Sequence, residues 1–334
     1  MIRPFHLRDL PLVYRLSDNG VSLHSEFALT NQPKLMRKAL VSMIGMGQYP
    51  TYVWKDDSQR NAWGFVQLHL EDSSHAHIVH AALNEADADE SLSVEEQQSR
   101  IWLPFLEQLT AETGRCGVHS LVAEVSETGP ELLLLRQAGF AVYTRQDIWV
   151  LDEVRNVSTP LNLRPATSED EWDIQLLYVN TVPRLVQLVE PMPAVTDSRY
   201  VLREGSMLAA FVHIYEGPAG SWLRLYIHPD AETQAADIIA AAVQQHPPLS
   251  KNPIYCCVRR YQSWLQNGLA QVGFEHFISQ AVMVKHTVQR TQSALPDLAT
   301  LMEKQGVKGS APVIHPYQVN GQRRQHVLEP LQKQ

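Results

Sequence analysis

The sequence predicts an α/β chain (an α+β mixed sheet) built as two tandem copies of one module. Three observations carry this. Residues 121–151 read strand, turn, helix, Gly-Phe, strand, and the plan returns at residues 254–286, where Gly273-Phe274 answers Gly139-Phe140 and Gln280 answers Gln146. Upstream, Ile2-Arg3-Pro4 opens the chain and Leu163-Arg164-Pro165 opens its second half. Two markers in the same order at similar separation indicate a duplication. Finally, 334 residues suit two domains at about 100–200 residues each, and 44% hydrophobic residues let each half bury a core. The expected division is an N-terminal module over 1–151, a polar linker over 152–160, a C-terminal module over 161–287 and a polar extension over 288–334.

In the first half, residues 2–7 read as a strand and Asp9-Leu10-Pro11 starts a helix through Leu16. Residues 33–45 carry Leu35, Ala39, Leu40 and Met43 on one helical face. Residues 51–54 and 63–70 look like paired strands around a polar turn, and 75–83 is another strand. An acidic, loop-like stretch over 84–98 precedes a helix over 100–113. Residues 121–125 form a strand. Pro130 sits in the first turn of the next helix, where its missing N–H costs nothing, and Gly139 ends that helix by taking positive φ. Residues 140–151 complete the module.

The second half repeats the order. Residues 161–164 are a strand and 169–179 a helix capped by Thr167 or Ser168. A short helix is expected over 183–189, strands over 207–215 and 222–228, an Ala-rich helix over 230–245 ended by Pro247-Pro248, and a strand over 254–259. Past His286 the pattern dissolves, with one amphipathic helix expected over 295–305.

Charge and cysteine usage exclude several classes. A net charge of −8 argues against phosphate-backbone binding, so no nucleic-acid partner is expected. No apolar run approaches the ~20 residues of a membrane helix, and no leader-like apolar segment opens the chain, so no membrane partner is expected. Cys116, Cys256 and Cys257 are too few for a disulfide framework, and the adjacent pair points to opposite strand faces. A reducing, cytoplasmic setting is expected. His75-x-His77 places two imidazoles on one strand face with His80 on the other, but nothing nearby completes a ligand set, so no metal is expected. Arg259-Arg260 reads as a solvated pair after a strand, with an adenosine phosphate as the alternative partner.

The order strand, helix, helix, three strands, helix, strand, helix, strand resembles the GNAT N-acetyltransferase superfamily, twice over. Ile-Arg-Pro with an Asp-Leu-Pro helix start looks like the family's opening. The run Leu134-Leu135-Arg136-Gln137-Ala138-Gly139-Phe140 looks like its C-terminal helix-to-strand joint, and Leu225-Tyr226-Ile227-His228-Pro229-Asp230 like the end of its fourth strand. The resemblance implies acetyl transfer from acetyl-CoA, as cosubstrate, to a primary amine on a small molecule or peptide. In that family the fourth and fifth strands splay to admit the pantetheine arm. The pairs concerned here are 75–83 with 121–125 and 222–228 with 254–259. Coenzyme contacts are implied at Tyr226, Ile227, Thr233, Gln234 and Ala235. A homodimer is left open as an assembly.

The residues depart from the family where it holds the pyrophosphate. That loop is Arg/Gln-x-x-Gly-x-Gly/Ala at a helix N-terminus, where glycines and free N–H groups close on the anion. After Asp230 this chain has Ala231, Glu232, Thr233, Gln234, Ala235, Ala236 and Asp237, with no glycine. One like-charge contact at 4 Å costs on the order of 4 kcal/mol at an effective dielectric of 20, while a helix terminus returns ~1–2. The matching loop of the first half holds Glu85, Asp87, Asp89, Glu90, Glu95 and Glu96. The family's general-acid tyrosine falls at Leu135 and Leu269, so both halves lack it. Tyr261 is the substitute candidate, with a packed core tyrosine as the alternative. General-base candidates are Glu124 in the first half and His228 in the second; the alternatives are a strand-edge acid and a turn histidine. Two functions stay open: an acetyltransferase, favoured in the second half, or a degenerate GNAT-fold binding or scaffold protein that does not use acetyl-CoA.

Overall fold

Both halves begin with the same clamp. Arg3 grips Asp9 with two bonds of 2.7 and 2.6 Å, and Asp9 also accepts the backbone N–H of His6 at 2.9 Å. Arg164 grips Asp170 with two bonds of 2.7 Å, and Asp170 accepts the N–H of Thr167 at 2.9 Å. Each aspartate stands at the third position of a 3-10 turn and satisfies its N-cap donor, as in a capping box. Thr167 is the cap in the second half, as the sequence suggests. The duplication read from two Arg-Pro dipeptides is thus a duplication of geometry.

The computed structural model describes residues 1–31, 47–56, 62–71, 74–84, 94–153, 159–190, 192–193, 198–247 and 252–287. These fall in one unit, Met1–Val288. The helices expected over 33–45 and 295–305, the acidic stretch over 85–93 and residues 154–158 of the linker lie outside the description.

The first half contributes strands β1 (Ile2–Pro4), β2 (Val21–Ser22), β3 (Thr51–Asp56), β4 (Ala62–Leu70), β5 (His75–Asn84), β6 (Ser120–Ser126) and β7 (Ala141–Leu151), with helices α1 (Leu10–Leu16), α2 (Ser25–Thr30), α3 (Val94–Arg115) and α4 (Pro130–Gln137). The second contributes β8 (Arg164–Pro165), β9 (Ser198–Glu204), β10 (Met207–Glu216), β11 (Ser221–Ile227), β12 (Ile254–Arg259) and β13 (Glu275–His286), with α5 (Glu171–Thr181), α6 (Arg184–Gln187), α7 (Ala235–Gln245) and α8 (Leu265–Val272). β2, α2 and β9 have no counterpart in the sequence reading. The helix expected to start at residue 230 is a 3-10 turn, Pro229–Gln234, before α7 begins.

The halves do not build two separate sheets. Among the described residues one 13-stranded sheet runs β1-β3-β4-β5-β6-β13-β7-β12-β11-β10-β9-β8, with β2 off this path on β5. Each half hands its closing strand to the other: β13 pairs with β6, and β7 pairs with β12. The two exchanged strands pair antiparallel with Gln146 opposite Gln280, so the local twofold relation passes through that residue pair.

The Gly-Phe joints set up this exchange. α4 starts after Gly129 with Pro130 in its first turn and ends where Gly139 takes φ +85°. Phe140 N–H then reaches back to the Leu135 carbonyl at 2.9 Å, satisfying a free helix-end acceptor. α8 ends the same way, with Gly273 at φ +102° and Phe274 N–H on the Leu269 carbonyl at 3.0 Å. Both phenylalanines are 3% exposed and sit in the two main cores. Full burial of such a ring stabilises by about 1.5–3 kcal/mol. α3 and α4 close the first core over Phe105, Leu106 and Leu109, and α7 and α8 close the second over Ile238, Ile239 and Leu269.

Candidate functional site

Two places in the sheet open because parallel strands part. β11 and β12 pair in parallel from Ser221↔Ile254 to Arg224↔Cys257 and then diverge. β5 and β6 pair in parallel from His75↔Ser120 to His77↔Val122 and then diverge. The duplicated topology therefore creates two matching forks, and their fates differ.

The first fork is filled by its own chain. β2 adds to the free edge of β5, with Val21 opposite Ala81 and Ser22 opposite His80. Leu23 N–H then bonds the Val79 carbonyl at 3.1 Å, while the Leu23 carbonyl accepts Glu124 N–H at 2.8 Å. Ser25 N–H ends the insertion on the Glu124 carboxylate at 2.8 Å. Residues 21–25 thus bridge β5 to β6 by main-chain bonds, using the strand groups that an extended ligand would need. Gly20 permits this approach: a Cβ there would lie 2.1 Å from His80 Nε2 and 2.8 Å from the Ala81 carbonyl oxygen.

The second fork is open. Its cleft enters the sheet where the two strands part beyond Arg224↔Cys257. Arg224 and Tyr226 on β11 form one wall, and Cys257 and Arg259 on β12 the other. Tyr178 of α5, Glu190 and Tyr261 close its sides. Gln262 reaches across and donates to the Leu225 carbonyl at 3.0 Å. The two arginines are neutralised within the protein. Arg224 bonds Glu26 of α2 at 2.6 Å, so the first half furnishes part of the second half's cleft. Arg259 bonds Glu190 and the side-chain oxygen of Gln146.

Burial governs ionisation here. It raises the Tyr226 and Tyr261 phenols and pushes the Cys257 thiol up to about 12, so all three stay protonated near neutral pH. Cys257 is therefore no thiolate nucleophile.

A polar row crosses the central strands on one face. Ser25 Oγ donates to Gln280 Oε1 at 2.7 Å, Gln146 Nε2 donates to the same oxygen at 2.8 Å, and Arg259 continues the row to Glu190. Glu124 stands at its first-half end, 6% exposed on an interior strand. This replaces the alternative of a strand-edge acid. Burial would raise its carboxyl, but the imidazoles of His24 and His77, Arg259 and the Ser25 side chain outweigh burial and hold it below the ordinary carboxylate range.

The predicted residues are dispersed. Tyr226 and Tyr261 line the open cleft. Glu124 lies at the filled fork. His228 stands past the end of β11, 30% exposed, where its Nδ1 accepts Asp230 N–H at 3.2 Å and lies 3.6 Å from the Asp230 carboxylate. Ile227 and Ala235 point into the core at 2% and 5% exposure, leaving only main chain for a ligand. Thr233 is exposed, and Gln234 donates to Glu204. The reading of Arg259-Arg260 as a solvated pair is corrected for Arg259, which is 9% exposed because Glu190 and Gln146 satisfy it. Arg260 is the partly exposed member, bonded to Glu127 at 2.7 Å.

Arg224, Glu190 and Cys257 were missed. The available signal was an arginine within the otherwise apolar strand Ser-Trp-Leu-Arg-Leu-Tyr-Ile. Such a charge is buried only with a partner, and that partner lies in the other half.

No family model matches the chain, and no curated protein matches it. Solved structures do. A GCN5-related N-acetyltransferase from Sphaerobacter thermophilus is 11% identical, with a TM-score of 0.50 over 86% of this chain and 96% of that one. A tandem GNAT protein from the clavulanic acid biosynthesis pathway, solved without AcCoA, is 12% identical, with a TM-score of 0.48 over 86% and 99%. An acetyltransferase of the GNAT family from Colwellia psychrerythraea is 13% identical, with a TM-score of 0.45 over 86% and 99%. The mixed sheet, its helices and its repeated topology give this chain a GNAT-like fold in two tandem copies.

Proposed function

We propose that the chain is an N-acetyltransferase working from the second-half cleft alone, moving an acetyl group from acetyl-CoA to a primary amine. In this reading residues 1–151 and 161–287 are the two copies, joined through 152–160, and the first is the inert partner. The observation that carries it is the contrast between the forks. One is bridged by residues 21–25, and the other opens beyond Arg224↔Cys257. A pantetheine arm would run along β11 past Leu225, displacing Gln262 from the carbonyl it now holds. The chemistry is direct attack of the amine on the thioester carbonyl, with strand N–H groups stabilising the oxyanion. The C–S bond breaks as the C–N bond forms, the leaving thiolate takes a proton from the protein, and the surplus proton on the acylated nitrogen passes through water to restore that donor. Tyr261, kept protonated by burial, is the donor in this reading.

Acetyl-CoA titration with thermal unfolding as readout tests the proposal. A ligand at 100 times its dissociation constant adds ~2.7 kcal/mol. No shift at millimolar acetyl-CoA would refute the enzyme reading. The 3-10 turn that follows β11, Pro229–Gln234, favours the second reading, a binding protein on this frame that does not use acetyl-CoA. Asp230 and Glu232 are exposed there, His228 occupies Asp230 N–H, and Ala231 N–H is spent on the His228 carbonyl. These groups do not form a ready diphosphate cradle. Binding of acetyl-pantetheine without preference for the full coenzyme would reconcile the open slot with the acidic turn after β11.

A further inference from the structure

We propose that His24, His77 and Glu124 form a site for one divalent transition-metal ion of the zinc class, closing the filled fork of the first half. One ligand atom from each residue lies within 4.8 Å of the others. All three residues are more than nine-tenths buried, at 9%, 5% and 6% exposure. The two imidazole rings stand with centroids 4.8 Å apart.

Two nitrogens in this cluster are unaccounted for. His24 Nδ1 and His77 Nδ1 are buried with no hydrogen-bond partner. Buried polar atoms of native proteins are satisfied by protein, water or an ion in the great majority of cases. His77 shows what distinguishes an ion. Its Nε2 bonds the Glu71 carboxylate at 3.0 Å, while Nδ1 is buried with no hydrogen-bond partner and is the nitrogen left to take a ligand. A carboxylate on the far nitrogen of an imidazole fixes its tautomer and makes the near nitrogen a better ligand, the usual outer shell of a metal-bound histidine. Glu124 has its own outer contact, the Ser25 N–H at 2.8 Å. Two imidazoles and one carboxylate suit zinc and neighbouring first-row ions, whereas calcium and magnesium require oxygen ligands.

The placement explains why such a site would arise here. His77 is the last residue of β5 paired with β6, Glu124 stands on β6 beyond the fork, and His24 is carried by the inserted segment. One ion would tie together the three segments that converge where the strands part. Tetrahedral bonds of ~2.0–2.1 Å place ligand atoms ~3.3 Å apart, so atoms now up to 4.8 Å apart close by as much as ~1.5 Å on loading. The sequence could not assemble this set, because its members come from three separate elements.

The test is metal uptake by the full chain. Chelator-treated protein dialysed against micromolar Zn²⁺, and separately Co²⁺, should bind one ion per chain and melt roughly 5 °C higher. Glu71→Gln, which leaves all three ligands in place, should weaken binding 10–100-fold. His77→Gln and Glu124→Gln should abolish stoichiometric uptake, and His246→Gln, at another histidine–carboxylate pair, should not change it. Wild-type uptake below about a tenth of an ion per chain overturns the proposal and leaves an ordered water as the occupant. Uptake unaffected by both Glu71→Gln and His77→Gln also overturns it, as adventitious surface binding. If a ligand variant fails to fold, the wild-type stoichiometry and Glu71→Gln still decide.

Discussion

Replacing Arg259 by methionine should cost the fold about 3 kcal/mol, and a second change should return most of it. The side chains of Arg259 and Glu190 are 11% and 18% exposed. Glu190 accepts from Arg259 and from Tyr143, and Arg259 also satisfies Gln146. Arg259→Met leaves the carboxylate facing a single hydroxyl donor and leaves the Gln146 oxygen with only the weak Cys257 thiol donor at 3.4 Å. Removing one member of a buried pair costs ~3–5 kcal/mol. The remaining solvent contact of Glu190 places this case at the lower end, a fall in melting temperature of roughly 6 °C. Glu190→Gln in the same chain removes the stranded charge and keeps an acceptor for Tyr143. The double variant should therefore lie within about 1.5 kcal/mol of wild type, so the coupling energy is at least ~1.5 kcal/mol, larger by whatever Glu190→Gln costs alone. Urea unfolding followed by tryptophan fluorescence measures all four species, and an unchanged denaturant slope shows that stability moved rather than compactness. A loss below about 1 kcal/mol for Arg259→Met, or strict additivity in the double variant, would mean the pair is solvated and the cleft floor has been misread.

His80 is buried, and burial lowers its pKa from 6.5 to about 4. The unfolded chain takes up this proton near pH 6.5 and the folded chain only near pH 4, so the residue's contribution is full above pH 6.5 and about 3 kcal/mol is lost as pH falls to 4. His80→Leu should flatten the stability profile between pH 7 and pH 4, measured by urea midpoints. Gly217→Ala would place a Cβ 2.4 Å from Thr30 Cβ and 2.6 Å from the Thr30 carbonyl oxygen, costing about 1–3 kcal/mol. Gly47→Ala, with nothing within 4 Å, should stay within about 0.5 kcal/mol in the same assay. If the chain transfers acetyl groups, Tyr261→Phe should lower kcat about 100-fold without weakening acetyl-CoA binding; an unchanged kcat would remove Tyr261 as proton donor.

The signals that the sequence carried were local. Asp9 and Asp170 follow their Arg-Pro starts at the same spacing, and that spacing alone decides the clamp. Gly139 and Gly273 had to take positive φ, so both helix ends were placed before any tertiary information. The pairing of 51–54 with 63–70 followed from two β-rich runs around a polar turn, and the observed β3–β4 register joins Thr51 to Gln67. What stayed hidden is set by partners distant in sequence. Repetition announces two copies, but a strand such as 141–151 carries no mark of whose sheet it joins. Residues 21–25 are too few to show periodicity, and their bonds to β5 and β6 come from main chain, which composition does not reveal. Glu124 and Tyr261 could be picked out as titratable residues on the right strands. Their separation into a filled fork and an open one could not, because that difference rests on a five-residue insertion.

The exchange of closing strands has a consequence for synthesis. During translation β6 is made long before β13, its neighbour in the sheet, and the chain between them carries α4, β7 and the second copy up to β13. At 5–20 residues per second, adding the second copy takes on the order of 10 s. During that time the nascent first copy presents an unpaired β6 edge and β7 has neither of its neighbours. Exposed strand edges template aggregation, so the growing chain should depend on chaperones until its last strand emerges. Ribosome-stalled chains ending near residue 260 should be protease-sensitive across 120–151, and those extended well past residue 287 should not.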